Sequence, residues 1–184
     1  MNQATAMNAP NIITIVRLLM AVVSFVFMFF DMWLTSAILI SVAVILDTVD
    51  GRIARKFELV TKQGVYLDVM ADKIVIISTF LIVGQKINII FFYLGLLMLI
   101  REYTIDTMRS IAASKQTVIS ADKFSKIKGV LFMIAMLGMI WNRVLFEGND
   151  LMQTIFVWMA ALAMVLAYIT LVRFFVKHKN ILLS

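Results

Sequence analysis

The chain has 184 residues, 62% of them hydrophobic, with a formal charge of +6 and no cysteine. An ordinary soluble domain is about 45–50% apolar, and a fold this short cannot hide so much apolar surface, so composition excludes a soluble globule and points to a membrane protein. Without cysteine there are no disulfides, no thiol catalysis and no thiolate metal sites, and the single histidine, His178, sits in a basic tail, which sets aside histidine chemistry. The chemistry has to come from carboxylate oxygens, lysine and arginine. The positive charge suits cytoplasmic loops and anionic lipid headgroups. No basic run carries the interleaved aromatics of a nucleic-acid site. The N-terminus lacks a basic n-region and a small-residue cleavage site, so no removable signal peptide is expected.

A bilayer-spanning helix needs about 20 mostly apolar residues, and six segments qualify approximately. The first runs from Ile12 to Phe30, behind Pro10, which suits a helix start. The second begins near Trp33, stays apolar to Leu46 and continues through Asp47–Lys56. The third runs from Gly64 to Val83, with Asp68 and Asp72 in its first turns, and Gly84-Gln85-Lys86 with Asn88 punctuates the next turn. The fourth begins near Ile89 and passes Arg101 toward Ala113. The fifth covers Phe124–Trp141 and the sixth Leu151–Val176. The expected fold is therefore all-α, a single polytopic domain over 1–184 with six transmembrane helices. Arg52, Arg55, Lys56 and Lys62 lie between the second and third spans, and Arg109, Lys115, Lys123, Lys126 and Lys128 around the 4–5 connection. Arg173, Lys177 and Lys179 lie in the tail. The positive-inside rule puts these connections and both termini in the cytoplasm.

Asp47 and Asp50 close the second span, and Asp68 and Asp72 open the third. At about 100° per residue, Asp50 sits roughly 60° to one side of Asp47, Gly51 about 40° to the other, and Ala54 about 20° away. Gly64, Asp68 and Asp72 form one stripe at i, i+4, i+8. The short connection after Lys56 predicts that the two helices are antiparallel neighbours with their carboxylates facing. Clustered carboxylates repel, and acidic groups in a span are costly, so a cation has to compensate. With oxygen ligands alone, magnesium or manganese fits, and two divalent ions would balance four carboxylates. A two-metal site is a standard clamp for a phosphoryl group undergoing displacement. Gly51 and Ala54 leave room for a ligand beside the helix, Arg55 at the edge of that face can pair with a phosphate, and Gly64 allows close approach. The plainer alternative is an interfacial salt-bridge layer in which Arg52, Arg55, Lys56, Lys62 and Lys73 pair with these aspartates.

Together these residues read D-x2-D-G-x2-A-R-x8-G-x3-D-x3-D, with all eight fixed positions present. The pattern resembles the signature of the CDP-alcohol phosphatidyltransferase family. The resemblance implies six transmembrane helices, commonly in a homodimer in the bacterial cytoplasmic membrane, with the active site open to the cytoplasm. It implies that Asp47, Asp50 and Asp68 are metal ligands and that Asp72 completes the cluster and acts as general base. Gly51, Ala54, Arg55 and Gly64 would line the CDP side. The implied reaction is attack by an acceptor hydroxyl on the lipid-linked phosphorus of CDP-diacylglycerol, with CMP leaving.

Other segments bear on the acceptor. Pro10-Asn11-Ile-Ile-Thr14-Ile-Val-Arg17 resembles the P-N-x-x-T-x-x-R opening of the bacterial phosphatidylglycerophosphate synthases within that family. Arg101-Glu102-Tyr-Thr104 with Arg109, and Ser125-Lys126-Ile-Lys128, are similar to their R-E-[FY]-x…R and G-K-x-K segments. Ser125 stands where that subgroup carries glycine, Gly129 where it carries threonine, and Asp106 where small or apolar residues are usual. The resemblance implies glycerol 3-phosphate as acceptor, its phosphate held by Arg101, Arg109, Lys126 and Lys128. The basic residues of the 4–5 connection also suit anionic membrane lipids, and Glu102 and Asp106 can pair with Arg101 and Arg109. Two other readings stand beside this one. The same chemistry can serve serine or an inositol phosphate, and the aspartates can be the ion site of a cation transporter. Clustering at one interface, rather than along a path through the bilayer, argues against transport. Ala163 and Ala167 have small-xxx-small spacing, which suits helix contact or dimerisation.

Overall fold

The structure is a computed structural model that describes the backbone of residues 9–56, 62–115 and 124–183, with side-chain surroundings for 12–47, 64, 66–115 and 127–179. Apart from the short connections at 30–32, 87–88 and 146–149, the described residues between caps are α-helical, and no strand is present among them. The helices are α1 (Ala9–Phe29), α2 (Trp33–Lys56), α3 (Lys62–Lys86), α4 (Ile89–Ser114), α5 (Phe124–Leu145) and α6 (Asp150–Leu183). The six segments expected from hydropathy are these six helices, with ends displaced by a few residues. Among the described residues, Ile12–Phe29, Ile127–Leu145 and Asp150–Lys179 are long and apolar enough to cross a membrane, and Trp33–Asp47 is a shorter apolar stretch. Helices α3 and α4 miss that standard because each carries charges in one half, Asp68, Asp72 and Lys73 on α3 and Arg101, Glu102, Asp106 and Arg109 on α4.

Side-chain caps set the turns. Asn88 Oδ1 accepts the Ile90 amide at 3.1 Å to open α4. Asn149 Oδ1 accepts Leu151 and Met152 amides at 3.0 and 3.2 Å to open α6. Gly148, at φ 82, takes the left-handed conformation that the turn before α6 requires. At the α1–α2 turn, Lys86 donates to the Phe29 carbonyl at 3.0 Å and pairs with Asp31 at 3.2 Å.

Helix α1 packs against α2 and α3, α3 against α4, α4 against α6, and α6 against α5, which returns to α2 and touches α3. Helices α2 and α3 make no close approach to each other among the described residues. The sequence expectation of antiparallel α2–α3 neighbours is corrected here: α1 packs against both of them. The aromatic centre joins α3, α4 and α5, where Phe80 stacks on Phe91 at 4.9 Å and meets Phe132 edge-on at 5.6 Å. Ser24 and Ser36, fully buried, exchange hydrogen bonds with each other's carbonyls and lock α1 to α2. A Cβ at Gly84 would lie 2.0 Å from the Phe92 backbone nitrogen, and one at Gly138 would lie 2.2 Å from the Phe156 ring, so close α3–α4 and α5–α6 contact depends on these glycines. Ala163 and Ala167 are buried within the same bundle. Helix α6 is 34 residues, about 51 Å at 1.5 Å per residue, longer than the roughly 30 Å hydrocarbon core.

Candidate active site

Arg17, Asp47, Asp68, Arg101, Lys128 and Thr170 come from six different helices and gather toward one end of the bundle. Asp47 ends the apolar stretch of α2. Asp68 and Asp72 are one turn apart on α3, so their side chains leave the same face. One carboxylate oxygen from each of Asp47, Asp68 and Asp72 lies within 4.8 Å of the others. Oxygen donors alone, this close, suit a hard divalent cation rather than a soft one. The three side chains are between 36% and 44% exposed, so the cluster is open on one side.

Beneath them lies Arg17 of α1, only 3% exposed. Its Nη1 contacts Asp47 and lies 3.0 Å from Asp72, and its Nη2 donates to Asp68 at 2.9 Å. Its Nε is buried and has no partner among the described residues. Because α1 packs against both α2 and α3, the guanidinium reaches carboxylates of both. A cavity of about 460 Å³ adjoins the cluster, reaching from Arg17, Asp47 and Asp72 to Val75, Gly129 and Met133. Its walls beyond the carboxylates are mostly apolar. The larger groove, about 680 Å³, lies away from the carboxylates along Tyr103, Thr107, Ile111 and Phe175 on the outer face of α4 and α6.

A second charged group adjoins the first through Lys73, the residue after Asp72. Glu102 pairs with Arg101, with Lys128 at 3.2 Å and with Lys73 at 3.4 Å, and Lys73 also holds Asp106 at 2.5 Å. Arg101 is further fixed by Thr170 Oγ1 at 3.0 Å and the Ala167 carbonyl at 3.4 Å, both on α6. Three cations of α3, α4 and α5 thus gather around one carboxylate. Arg109 lies two turns beyond Arg101, with its Nε buried and without a partner among the described residues.

Of the residues singled out in the sequence, Asp47, Asp68 and Asp72 are brought together, and Arg101 and Lys128 meet at Glu102. Gly64 lies in the first turn of α3 and is partly buried. Asp50, Gly51, Ala54 and Arg55 continue α2, and Lys126 begins α5, but their side chains lie outside the described residues. Two residues that no site was assigned to prove central. Arg17 is the cation inside the aspartate cluster, and Lys73, next to Asp72 in sequence, pairs with Glu102 and Asp106 rather than with the aspartates of the cluster. The signal for Arg17 was present: a charge within the apolar stretch Ile12–Phe29 needs a partner inside the bundle.

Residues 7–169 match the family model described as CDP-alcohol phosphatidyltransferase. A Bacillus subtilis protein is 30% identical over 156 residues, which cover 76% of this chain and 80% of that protein. A Rickettsia felis protein is 30% identical over 161 residues, 84% of this chain and 87% of its own length. A Wigglesworthia glossinidia brevipalpis protein is 29% identical over 142 residues, 74% and 78% of the two chains. All three relatives are named CDP-diacylglycerol–glycerol-3-phosphate 3-phosphatidyltransferase.

Proposed function

Because the chain belongs to the CDP-alcohol phosphatidyltransferase family, we propose that it is an integral membrane enzyme that transfers the phosphatidyl group of CDP-diacylglycerol to glycerol 3-phosphate, giving phosphatidylglycerophosphate and CMP. The observation that carries this is the convergence of Asp47, Asp68 and Asp72 on one open cluster beside a group of cations. The relatives' name supplies the two substrates.

Asp47, Asp50, Asp68 and Asp72 would hold two divalent ions, Mg2+ or Mn2+, which when bound neutralise the diphosphate and the departing CMP. Asp72 takes the proton of the acceptor hydroxyl as its oxygen attacks the lipid-linked phosphorus. The phosphorus–oxygen bond to CMP breaks, and its electron pair leaves with CMP. Gly51, Ala54, Arg55 and Gly64 receive the CDP part. Arg101, Arg109, Lys126 and Lys128 hold the acceptor phosphate, with Lys73 beside them. Glu102 occupies these cations until an acceptor phosphate replaces it, which keeps Arg101 and Lys128 poised rather than repelling one another.

The six helices form one transmembrane domain with both termini and the charged end in the cytoplasm. The grouping of lysine and arginine at that end supports this orientation, as does the long, basic end of α6. The family resemblance adds homodimeric assembly.

The test is CMP release by the purified protein with CDP-diacylglycerol, Mg2+ or Mn2+ and a panel of alcohols. Release with glycerol 3-phosphate is expected. Release with serine or an inositol phosphate alone overturns the acceptor and keeps the family chemistry. No release with any alcohol overturns the catalytic reading.

A further inference from the structure

The aspartate cluster already contains a cation. Arg17 is 3% exposed, while the three carboxylates above it are open on one side. Its two terminal nitrogens span Asp47 of α2 and Asp68 and Asp72 of α3, helices that do not approach each other among the described residues. Its Nε is buried without a partner among the described residues, so the described contacts that orient the guanidinium are those to the carboxylates. Among the described residues, three carboxylates and one guanidinium leave a formal surplus of two negative charges, which favours a divalent ion, and Asp50 would add a further negative charge.

We infer that Arg17 is a positioning residue that holds Asp47, Asp68 and Asp72 together before a divalent ion arrives and then competes with that ion for the same oxygens. This rests on the metal-dependent reading above. Arg17 has two opposed effects on the ion. It gathers the ligands, which favours binding, and it places a like charge beside the ion, which opposes binding. The second effect is larger. Helices α2 and α3 both pack on α1, which leaves the guanidinium only part of the gathering, whereas repulsion at a few ångströms in a poorly solvated floor is only weakly screened. Arg17 therefore lowers metal affinity and stabilises the metal-free protein.

The experiment compares the full chain with Arg17→Gln and Arg17→Lys after EDTA stripping. Free Mn2+ is followed by electron paramagnetic resonance during titration, and melting temperature is measured in EDTA. Arg17→Gln is expected to bind Mn2+ at least tenfold more tightly, about 1.4 kcal/mol, while melting lower in EDTA. Arg17→Lys keeps a point charge but cannot span three carboxylates. It is expected to melt lower in EDTA with Mn2+ affinity within about threefold of the unaltered protein. Equal or weaker Mn2+ binding by Arg17→Gln overturns the competition, because removing a like charge that dominates at the site has to tighten binding. If Arg17→Gln does not fold, Arg17→Lys decides: an unchanged EDTA melting temperature overturns the proposal. Asp68→Asn separates the two readings. If the unaltered protein binds no Mn2+ and Asp68→Asn changes nothing, the metal reading falls and the competition with it. Mn2+ binding that Asp68→Asn weakens and Arg17→Gln leaves unchanged overturns only the role of Arg17.

Discussion

Replacing Glu102 by glutamine removes the one charge around which Arg101, Lys128 and Lys73 gather while keeping the side chain's shape. The Glu102 side chain is 13% exposed, that of Arg101 5% and that of Lys128 8%, so the remaining cations are poorly hydrated. Breaking a buried ion pair by removing one partner costs about 3–5 kcal/mol. The lower end applies here. Lys73 keeps Asp106 at 2.5 Å, Arg101 keeps Thr170 at 3.0 Å, and glutamine still offers one acceptor oxygen. A loss of about 3 kcal/mol in a chain of this size lowers the melting temperature by about 6–12 °C. The assay is thermal melting of the purified protein with and without glycerol 3-phosphate. Because an acceptor phosphate would serve the same cations, the ligand should raise the melting temperature of Glu102→Gln more than that of the unaltered protein. Adding Lys128→Met should recover part of the loss, since it removes one of the unmatched charges. A Glu102→Gln variant melting within about 2 °C of the parent, well short of that shift, or a double variant less stable than the single, refutes the reasoning.

Asp72→Asn should lower the turnover number by about 10²–10⁴-fold, the usual contribution of a general base, while CDP-diacylglycerol binding stays measurable. Near-normal CMP release would remove Asp72 from that role. Arg109→Ala should raise the KM for glycerol 3-phosphate more than that for CDP-diacylglycerol, and equal effects in steady-state kinetics would mark a structural role instead. Gly84→Ala should cost about 1–3 kcal/mol, because its Cβ would meet the Phe92 backbone at 2.0 Å, which no rotamer change can relieve. Gly129→Ala, inside α5 with nothing within 4 Å of the added carbon, should instead raise the melting temperature by about 1–4 °C, because alanine is favoured over glycine in a helix by about 0.4–1 kcal/mol.

Much of the candidate site was legible locally. Asp68 and Asp72 share a face because any α-helix puts i and i+4 on one side, and the apolar runs around them mark the helices whatever their neighbours are. The spacing of Asp47, Asp50, Gly51, Ala54, Arg55 and Gly64 with these two carries the family resemblance, and the family model's match over 7–169 agrees with it. Glu102 and Asp106 are legible as partners for Arg101 and Arg109 from helical spacing, and the structure pairs Glu102 with Arg101 and Asp106 with Lys73. The contacts of Glu102 with Lys128, 26 residues away, and with Lys73 on α3 depend on how three helices meet.

The sequence by itself determined the helical class, the six apolar segments and the placing of Asp68 and Asp72 on one helix face, because each follows from composition or from the helical period. Only the tertiary structure decided which helix stands beside which. A short connection made α2 and α3 look like direct neighbours, yet α1 packs against both. The small side chains of Ser24, Ser36 and Ala37 allow its close approach to α2. That packing places Arg17, 51 residues from Asp68, in the middle of the aspartates. Helical periodicity states the direction in which a side chain leaves its own helix. It does not state what lies opposite, and the charge balance of this site is set by what lies opposite.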